Sequence, residues 1–366
     1  MRKNIAIYIA LSVLVFTLAC AFVQNMILPP DTPIPSPLPL TPTPTASFTA
    51  TPEIINTPTL EIKNGPEPIA CSGNNCLNAC LERLDEVLAT APFEAVDNSI
   101  YEEQDADFNL VIYQVDGDQI KDPVNLYVPP DYRKYQEDTA AHFRIWDFYA
   151  AIIPPELREM VAEFVIFTDG GGGDVGAWVT QMSRDPNKWQ VGFDILDSDY
   201  PPYLADALIH ETGHILTLNT SQMPYEDLQY YSYDAEQNIF HGCSQYAEGS
   251  TCSLPDSYID LFYERFWKDV YADWSEVEQE SLEAESFEEY LQVMEQFYDD
   301  HDELYLNSYA ATNISEDMAE SFSYFVLNPE PTGNSIPEQK VAFYYEFPEL
   351  VEYRRQIIEG LCSYAN

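Results

Sequence analysis

The segment ALIHETGHILTLN, residues 207–219, places two histidines and a glutamate in a run that is otherwise almost wholly apolar. The chain has only five histidines among its 366 residues, so such a pair in a core-like run requires an explanation. Residues four apart lie on the same face of a helix, which would project His210 and His214 side by side with Glu211 beside them. This H-E-x-x-H pattern predicts a zinc site in which two imidazoles bind the metal and Glu211 is the general base. The alternative is a buried helix with two histidines satisfied by ordinary hydrogen bonds.

A catalytic zinc needs a third protein ligand and one open position. One class of zinc peptidases, the metzincins, carries a glycine and a histidine three and six residues after the second ligand. Thr217 and Thr220 occupy those positions here, so this class is excluded. The third ligand must come from farther along the chain, where His241, His301 and many carboxylates are candidates.

The strongest candidate lies in SYAATNISEDMAESFSYFVLN, residues 308–328. Glu316 and Glu320 are four apart within an apolar helical pattern. A helix here would offer Glu316 to zinc and Glu320 as the partner that orients a ligand histidine. The alternative is local, because Asn313 followed three residues later by Glu316 is also a capping-box pattern.

The stretch YAATNISEDMAESF, which begins at Tyr309, resembles the corresponding segment of the anthrax lethal factor-like zinc proteases. In that family a Y-x6-E-x-x-A-E-x-F segment follows the H-E-x-x-H helix. The resemblance covers roughly residues 200–218 and 305–327. About 100 residues separate the second histidine from the third ligand, which is longer than the family leads us to expect. We therefore expect the intervening segment to shape the cleft.

The resemblance implies a gluzincin, with roles for six residues of this chain. They are His210, His214 and Glu316 as zinc ligands, Glu211 as general base, Tyr309 facing the oxyanion and Glu320 as support for the ligands. The alternative for Tyr309 is that it is simply one of 26 tyrosines.

The elements before the motif predict the fold. Three β-rich runs, AEFVIFTD, GAWVTQMS and WQVGFDIL, precede the motif helix, which should start just after Pro201 and Pro202. A small sheet followed by an H-E-x-x-H helix is typical of zincins. We therefore expect an α+β fold with a small mixed sheet, an active-site helix and a mainly helical C-terminal part. Either GAWVTQMS or WQVGFDIL is predicted to be the edge strand that pairs with extended substrate, the alternative being two ordinary hairpin strands.

Helical spacing outside the motif predicts further helices. Their predicted ranges are 76–90, 132–150, 256–274 and 284–300, followed by a C-terminal amphipathic helix with a break at Pro348.

The N-terminus predicts export. Two basic residues precede an apolar run from Ile5 to Val23, which indicates an export signal or a signal anchor. Thr17-Leu18-Ala19-Cys20 resembles a bacterial lipoprotein cleavage site. We expect a signal over 1–20, a disordered Pro/Thr-rich linker over 21–70 and one metallopeptidase domain over 71–366. The domain would then be extracellular and tethered to a membrane through a lipid or a signal anchor.

Six cysteines follow Cys20, and an even number in an exported protein implies disulfides. Cys243 and Cys252 flank a short loop and are predicted to pair. Cys362, close to the end of the chain, indicates a bridge between the start and the end of the domain. The sequence leaves three pairings open for the remaining four cysteines, which are Cys71, Cys76, Cys80 and Cys362.

The formal net charge is −46, from 62 acidic and 16 basic residues. Such a surface excludes nucleic acid and anionic membrane surfaces as partners, because phosphates need Lys and Arg. Attraction to cationic partners and a solvated acidic surface that maintains solubility remain alternatives. The sequence thus predicts a zinc endopeptidase with a protein or peptide substrate. A non-catalytic surface binding or adhesion protein on the same scaffold, and a zinc hydrolase of a non-protein amide, are the alternatives.

Overall fold

The computed structural model describes residues 74–84, 88, 108–170, 175–224, 232–234, 239–248, 251–281 and 287–364. The predicted signal over 1–20, the predicted linker over 21–70 and Cys71 lie outside these residues. Within the described ranges, none of the helices combines the length and apolar character needed to cross a membrane.

A mixed five-stranded sheet lies in the first half of the described chain, with the strand order β2-β1-β3-β5-β4. Strand β3 pairs in parallel with β5, and all other neighbours are antiparallel. Almost every residue of the central strand β3 is buried, which agrees with its nearly continuous apolar sequence. The strands are β1 Phe108–Asp116, β2 Gln119–Asn125, β3 Val161–Thr168, β4 Ala177–Met182 and β5 Asp185–Asp194.

Strand β4 lies at one edge of this sheet, and β5 is enclosed between β3 and β4. The two candidate edge strands are therefore distinguished: GAWVTQMS contains the edge strand, and WQVGFDIL contains an internal one. The antiparallel pairing of β4 with β5 also agrees with the alternative prediction that the two runs form a hairpin.

Eleven helices are formed by the described residues, and most of them follow the sheet in the chain. They are α1 Asn74–Leu81, α2 Arg133–Glu137, α3 Thr139–Ile152, α4 Pro155–Arg158, α5 Pro201–Leu218, α6 Tyr258–Phe262, α7 Tyr271–Ser281, α8 Phe287–Asp300, α9 Ile314–Leu327, α10 Ile336–Phe343 and α11 Pro348–Tyr364. Two short ribbons lie between α5 and α6, one of β6 Ser232–Asp234 and β7 Ile239–His241, the other of β8 Ala247–Glu248 and β9 Thr251–Cys252. The expected combination of a mixed sheet, a helix over the motif and a helical C-terminal part is confirmed.

Three predicted helices are not continuous. The one over 132–150 breaks at Asp138, whose side chain accepts a hydrogen bond from the Ala141 N–H and so caps a new helix. The one over 256–274 is divided by a π-helical turn, Tyr263–Trp267. The helix predicted over 76–90 is interrupted after Leu81 by a turn at residues 82 and 83, and the described residues 84 and 88 are helical again. The prediction over 284–300 is confirmed from residue 287 onward, and α11 begins at Pro348 as expected.

Aromatic side chains join the sheet to the helices. Trp146 of α3 packs edge-on against Phe164 of β3 with ring centroids 5.2 Å apart. Phe148, on the same helix, packs against Tyr364 of α11 at 4.8 Å. The helix α3 therefore lies between the sheet and the C-terminal helix, and the hydrophobic core is continuous across them.

Two disulfides are formed by the described cysteines. Cys243 pairs with Cys252, as predicted. Cys80 pairs with Cys362 across 282 residues of sequence and joins α1 to α11, which confirms the expected bridge between the two ends of the domain. Neither Cys71 nor the side chain of Cys76 is among the described atoms.

The two disulfides should differ in their effect on stability. A cross-link that closes a long loop removes more entropy from the unfolded chain, and the chain-entropy model gives about 5.6 kcal/mol for the long loop and about 2.6 kcal/mol for the short one. We expect the pair Cys80→Ser/Cys362→Ser to lower the free energy of unfolding more than its matched control, Cys243→Ser/Cys252→Ser. Urea denaturation of both variants measures the difference. An equal or reversed order would show that the Cys80–Cys362 bridge does not constrain the unfolded chain as described.

Candidate metal centre

The helix α5 places the H-E-x-x-H motif in the protein interior. It begins at Pro201, where the fixed proline backbone angle favours the first turn of a helix. His210, Glu211 and His214 are each only 8% exposed. The motif therefore lies on a helix that is buried on most of its surface, as its nearly apolar sequence requires.

The helix α9 carries the second half of the site. Its N-cap is Asn313, whose side-chain oxygen accepts a hydrogen bond from the Glu316 N–H at 2.9 Å. The local alternative for this segment is thus correct for the backbone, because Asn313 does cap the helix. The Glu316 carboxylate does not complete the reciprocal bond of a capping box and reaches His210 instead.

The helices α5 and α9 lie antiparallel and in close contact. A Cβ atom added at Gly213 would lie 3.2 Å from the Ala319 Cα, so the glycine allows the two backbones to approach. One helical turn before His210, the Asp206 carboxylate accepts a hydrogen bond from the Ser323 hydroxyl. These contacts align the histidines of α5 with the glutamates of α9.

Three side-chain atoms from the two helices converge on one point. His210 Nε2 lies 3.0 Å from Glu316 Oε2, His214 Nε2 lies 3.2 Å from the same oxygen, and the two nitrogens are 3.1 Å apart. Tetrahedral zinc with bonds of about 2.0–2.1 Å would hold its ligand atoms about 3.3–3.4 Å apart. The triangle therefore has nearly the dimensions that a tetrahedral zinc requires, and the donor set of two imidazoles and one carboxylate suits this metal.

The Nε2 atoms of the two histidines do not have separate partners, because both lie within 3.2 Å of the same Glu316 oxygen. Their Nε2 atoms face one another and a shared carboxylate oxygen, so only a proton or a cation relieves the contact. His214 Nδ1 is buried and has no hydrogen-bond partner among the described residues. Burial lowers the pKa of His210, but hydrogen bonds with Glu316 and Glu320 outweigh it and raise the pKa well above its usual value.

Glu320 orients one of the two histidines. Its Oε1 lies 2.8 Å from His210 Nδ1. A neutral His210 that donates from Nδ1 to this carboxylate keeps its Nε2 lone pair directed at the centre of the site. Glu320 thus lies against Nδ1 of His210, and Glu316 lies against Nε2 of the same ring.

Glu211 lies next to the triangle but is held by the sheet. The backbone N–H of Val179, in the edge strand β4, donates to the Glu211 carboxylate. Burial raises the pKa of Glu211, and the neighbouring His214 and His210 partly offset the shift. A carboxylate with a raised pKa is a better proton acceptor near neutral pH than an exposed one.

Tyr309 lies on the turn before α9 and faces His210, with ring centroids 5.9 Å apart. Its side chain remains 43% exposed, so it lies at the open side of the site. Loss of hydration around the hydroxyl, followed by the charge of Glu316, raises the pKa of Tyr309 well above its usual value. The hydroxyl is therefore protonated at neutral pH and can donate a hydrogen bond.

Of the other ligand candidates, His301 contacts Phe297 and not the residues of the triangle. Its Nδ1 lies 3.0 Å from the Phe297 carbonyl oxygen, and its ring stacks on Phe297. The side chain of His241 is outside the described atoms. Glu316 is the residue that the structure brings together with His210 and His214.

Two further carboxylates near the triangle were missed by the sequence reasoning. Glu248, on β8, accepts a hydrogen bond from the Ser315 hydroxyl at 3.2 Å, and its charge acts on His214 and Glu316. Burial and the neighbouring Glu248 raise the pKa of Glu278 to about 7. Both residues come from the long segment between α5 and α9, and no spacing pattern links them to the motif. That segment therefore brings the carboxyl group of Glu248 near His214 and that of Glu278 near Glu248.

Comparison with models of known protein families, with curated proteins and with solved structures finds no match to this chain. The resemblance to the lethal factor-like proteases thus rests on the quoted residues, and the function must be argued from the geometry of the site.

The two glutamates of α9 should differ in their effect on metal binding. Glu316→Ala removes a ligand atom and should abolish stoichiometric zinc binding, whereas Glu320→Ala removes an orienting partner and should weaken binding about 10- to 100-fold. Zinc content and chelator competition on the purified variants measure both effects, with the exposed Glu303→Ala as the matched control. If Glu316→Ala retains zinc while Glu320→Ala loses it, the assignment of the third ligand is wrong.

Proposed function

We propose that this chain is a zinc-dependent endopeptidase of the gluzincin type, with His210, His214 and Glu316 as the metal ligands. The single observation that carries this proposal is the triangle of two imidazole nitrogens and one carboxylate oxygen, with edges of 3.0, 3.2 and 3.1 Å. The triangle is assembled from two helices that are distant in the sequence, because His210 and Glu316 are 106 residues apart. The fold supports the proposal, because a mixed sheet precedes the motif helix as it does in zincins.

The bound zinc would lower the pKa of a coordinated water towards neutrality and polarise the scissile carbonyl. Glu211 then acts as the general base that accepts the proton from the attacking water and returns it to the leaving amine. Its position beside the ligands and the N–H donated by Val179 hold the carboxylate in place for both transfers. The raised pKa of Glu211 suits a group that must first accept and then release a proton.

Tyr309 provides the second function, stabilisation of developing negative charge. Its hydroxyl remains protonated, and its partly exposed ring lies beside His210. A donor placed there stabilises the oxyanion of the tetrahedral intermediate. The partly exposed ring leaves room for a substrate to approach it.

The edge strand β4 supplies a surface for an extended substrate. It has one neighbour in the described sheet and contacts the motif helix through Val179 and Glu211. An extended peptide that adds to this edge as a further strand would run beside the metal ligands. This arrangement favours a protein or peptide substrate over a small non-protein amide.

The charge and the N-terminus extend the proposal to location and partners. A net charge of −46 favours cationic substrates. The apolar run from Ile5 to Val23 favours export and attachment to a membrane through lipid on Cys20 or through a signal anchor. The non-catalytic alternative, a surface binding or adhesion protein, does not require the general base that Glu211 supplies.

The proposal is tested by separating metal binding from turnover. Glu211→Gln should retain zinc and the fold but abolish cleavage of a quenched fluorescent peptide library, because the amide cannot accept a proton from water.

Tyr309→Phe should keep zinc and lower kcat by roughly 10²- to 10³-fold through loss of one oxyanion donor. Zinc binding by the wild-type chain without any cleavage would favour the adhesion alternative. Cleavage by Glu211→Gln at the wild-type rate would contradict the mechanism.

A further inference from the structure

We propose that Asn307 is a positioning residue that couples the turn carrying Tyr309 to the carboxylate that orients His210. This inference rests on the proposed zinc site and deepens it, because it assigns a role to a residue that no motif includes. It follows from two hydrogen bonds made by one side chain, each to a different functional part of the site.

The first hydrogen bond reaches the metal ligands through Glu320. Asn307 Nδ2 donates to Glu320 Oε2 at 2.6 Å. The other oxygen of the same carboxylate, Oε1, lies 2.8 Å from His210 Nδ1. Glu320 is therefore held at both oxygens, and its rotation is restricted from the side opposite to the histidine. Fixing the carboxylate in this way fixes the imidazole that it orients.

The second hydrogen bond holds the turn on which Tyr309 lies. The Ala310 N–H donates to Asn307 Oδ1 at 2.8 Å, so the Asn307 side chain stabilises the turn of residues 307–310. Asparagine is favoured at the start of turns because its side-chain oxygen accepts such backbone bonds. The Thr312 hydroxyl continues the turn by donating to the Tyr309 carbonyl oxygen at 2.8 Å. Two side-chain hydrogen bonds, from Asn307 and from Thr312, therefore hold the backbone on the C-terminal side of Tyr309.

Asparagine is well suited to this double role. Its amide offers one acceptor oxygen and two donor hydrogens, so one residue can accept from a backbone N–H and donate to a carboxylate. The two partners also fix which way the amide faces, because the carboxylate requires a donor and the N–H an acceptor. Aspartate would lose the donor, and a shorter polar residue would not reach Glu320. Asn307 is exposed, so we expect a moderate effect and not the loss of the site.

Two variants separate the two hydrogen bonds without a change of charge. Asn307→Ser keeps an oxygen that can accept from the Ala310 N–H but is too short to reach Glu320. Asn307→Ala removes both bonds. We expect both variants to bind zinc about 3- to 10-fold more weakly, which is less than the 10- to 100-fold effect of a direct partner of a ligand. We expect faster hydrogen exchange at the Ala310 amide in Asn307→Ala alone.

The experiment measures the zinc dissociation constant by chelator competition and the exchange of the 308–312 segment by mass spectrometry. The same substitutions in the Glu320→Ala background test the coupling. If Asn307 acts through Glu320, neither substitution weakens zinc binding further in that background. An unchanged melting temperature in all variants shows that the fold is intact.

Three results would contradict the inference. They are wild-type zinc affinity in both variants, an equal further loss of affinity in the Glu320→Ala background, and equal exchange of the Ala310 amide in Asn307→Ser and Asn307→Ala. A wild-type chain that binds no zinc would instead contradict the proposed function, so the two failures are distinguished by the wild-type measurement.

Discussion

The contact between helices α5 and α9 at Gly213 is the constraint on which the site depends. A Cβ atom at this position would lie 3.2 Å from the Ala319 Cα, so a side chain here would require the helices to separate by a few tenths of an ångström. His210 and His214 are on one helix and Glu316 is on the other, so the distances between their ligand atoms follow from the helix separation. The triangle edges of 3.0, 3.2 and 3.1 Å are within a few tenths of an ångström of the ligand spacing of about 3.3–3.4 Å in tetrahedral zinc, so this helix separation suits a single ion. The fourth position within H-E-x-x-H, occupied by Gly213, is thus a packing position as well as a spacer between ligands.

A buried ion pair fixes α9 from its other side. Asp317, the residue after Glu316, lies 2.6 Å from Lys340 of α10, and both side chains are fully buried. The indole N–H of Trp267 donates to the same Asp317 oxygen at 2.7 Å. Removing one partner of such a pair leaves an unpaired buried charge, which typically costs about 3–5 kcal/mol. The segment between the two halves of the site therefore helps to fix the orientation of α9 about its own axis, through the hydrogen bond from Trp267. The same segment contributes acidic groups near the histidines.

The parts of the structure that the sequence could predict are those governed by regular spacing. The pair His210 and His214, the neighbouring Glu211 and the pair Glu316 and Glu320 all follow from helical periodicity, because residues four apart share a face. The order of the elements and the start of the C-terminal helix at Pro348 follow from the local propensities of the residues.

The remaining features depend on contacts between distant segments. The choice of β4 over β5 as the edge strand is set by the pairing of β3 with β5, which no local pattern shows. Asp138 ends a helix because its side chain caps the next one, a choice that competes with the apolar periodicity across it. Asn307 and Glu248 approach the site only because the turn before α9 and strand β8 fold against α9.

The central claim is that His210, His214 and Glu316 jointly hold one zinc ion. Crystals of the 71–366 domain, measured on both sides of the zinc absorption edge, test it most directly. The account predicts one anomalous peak per chain, about 2.0–2.2 Å from the Nε2 atoms of both histidines and from a Glu316 carboxylate oxygen. A zinc-loaded crystal with no peak between these three residues, or with its peak at another set of side chains, would contradict it.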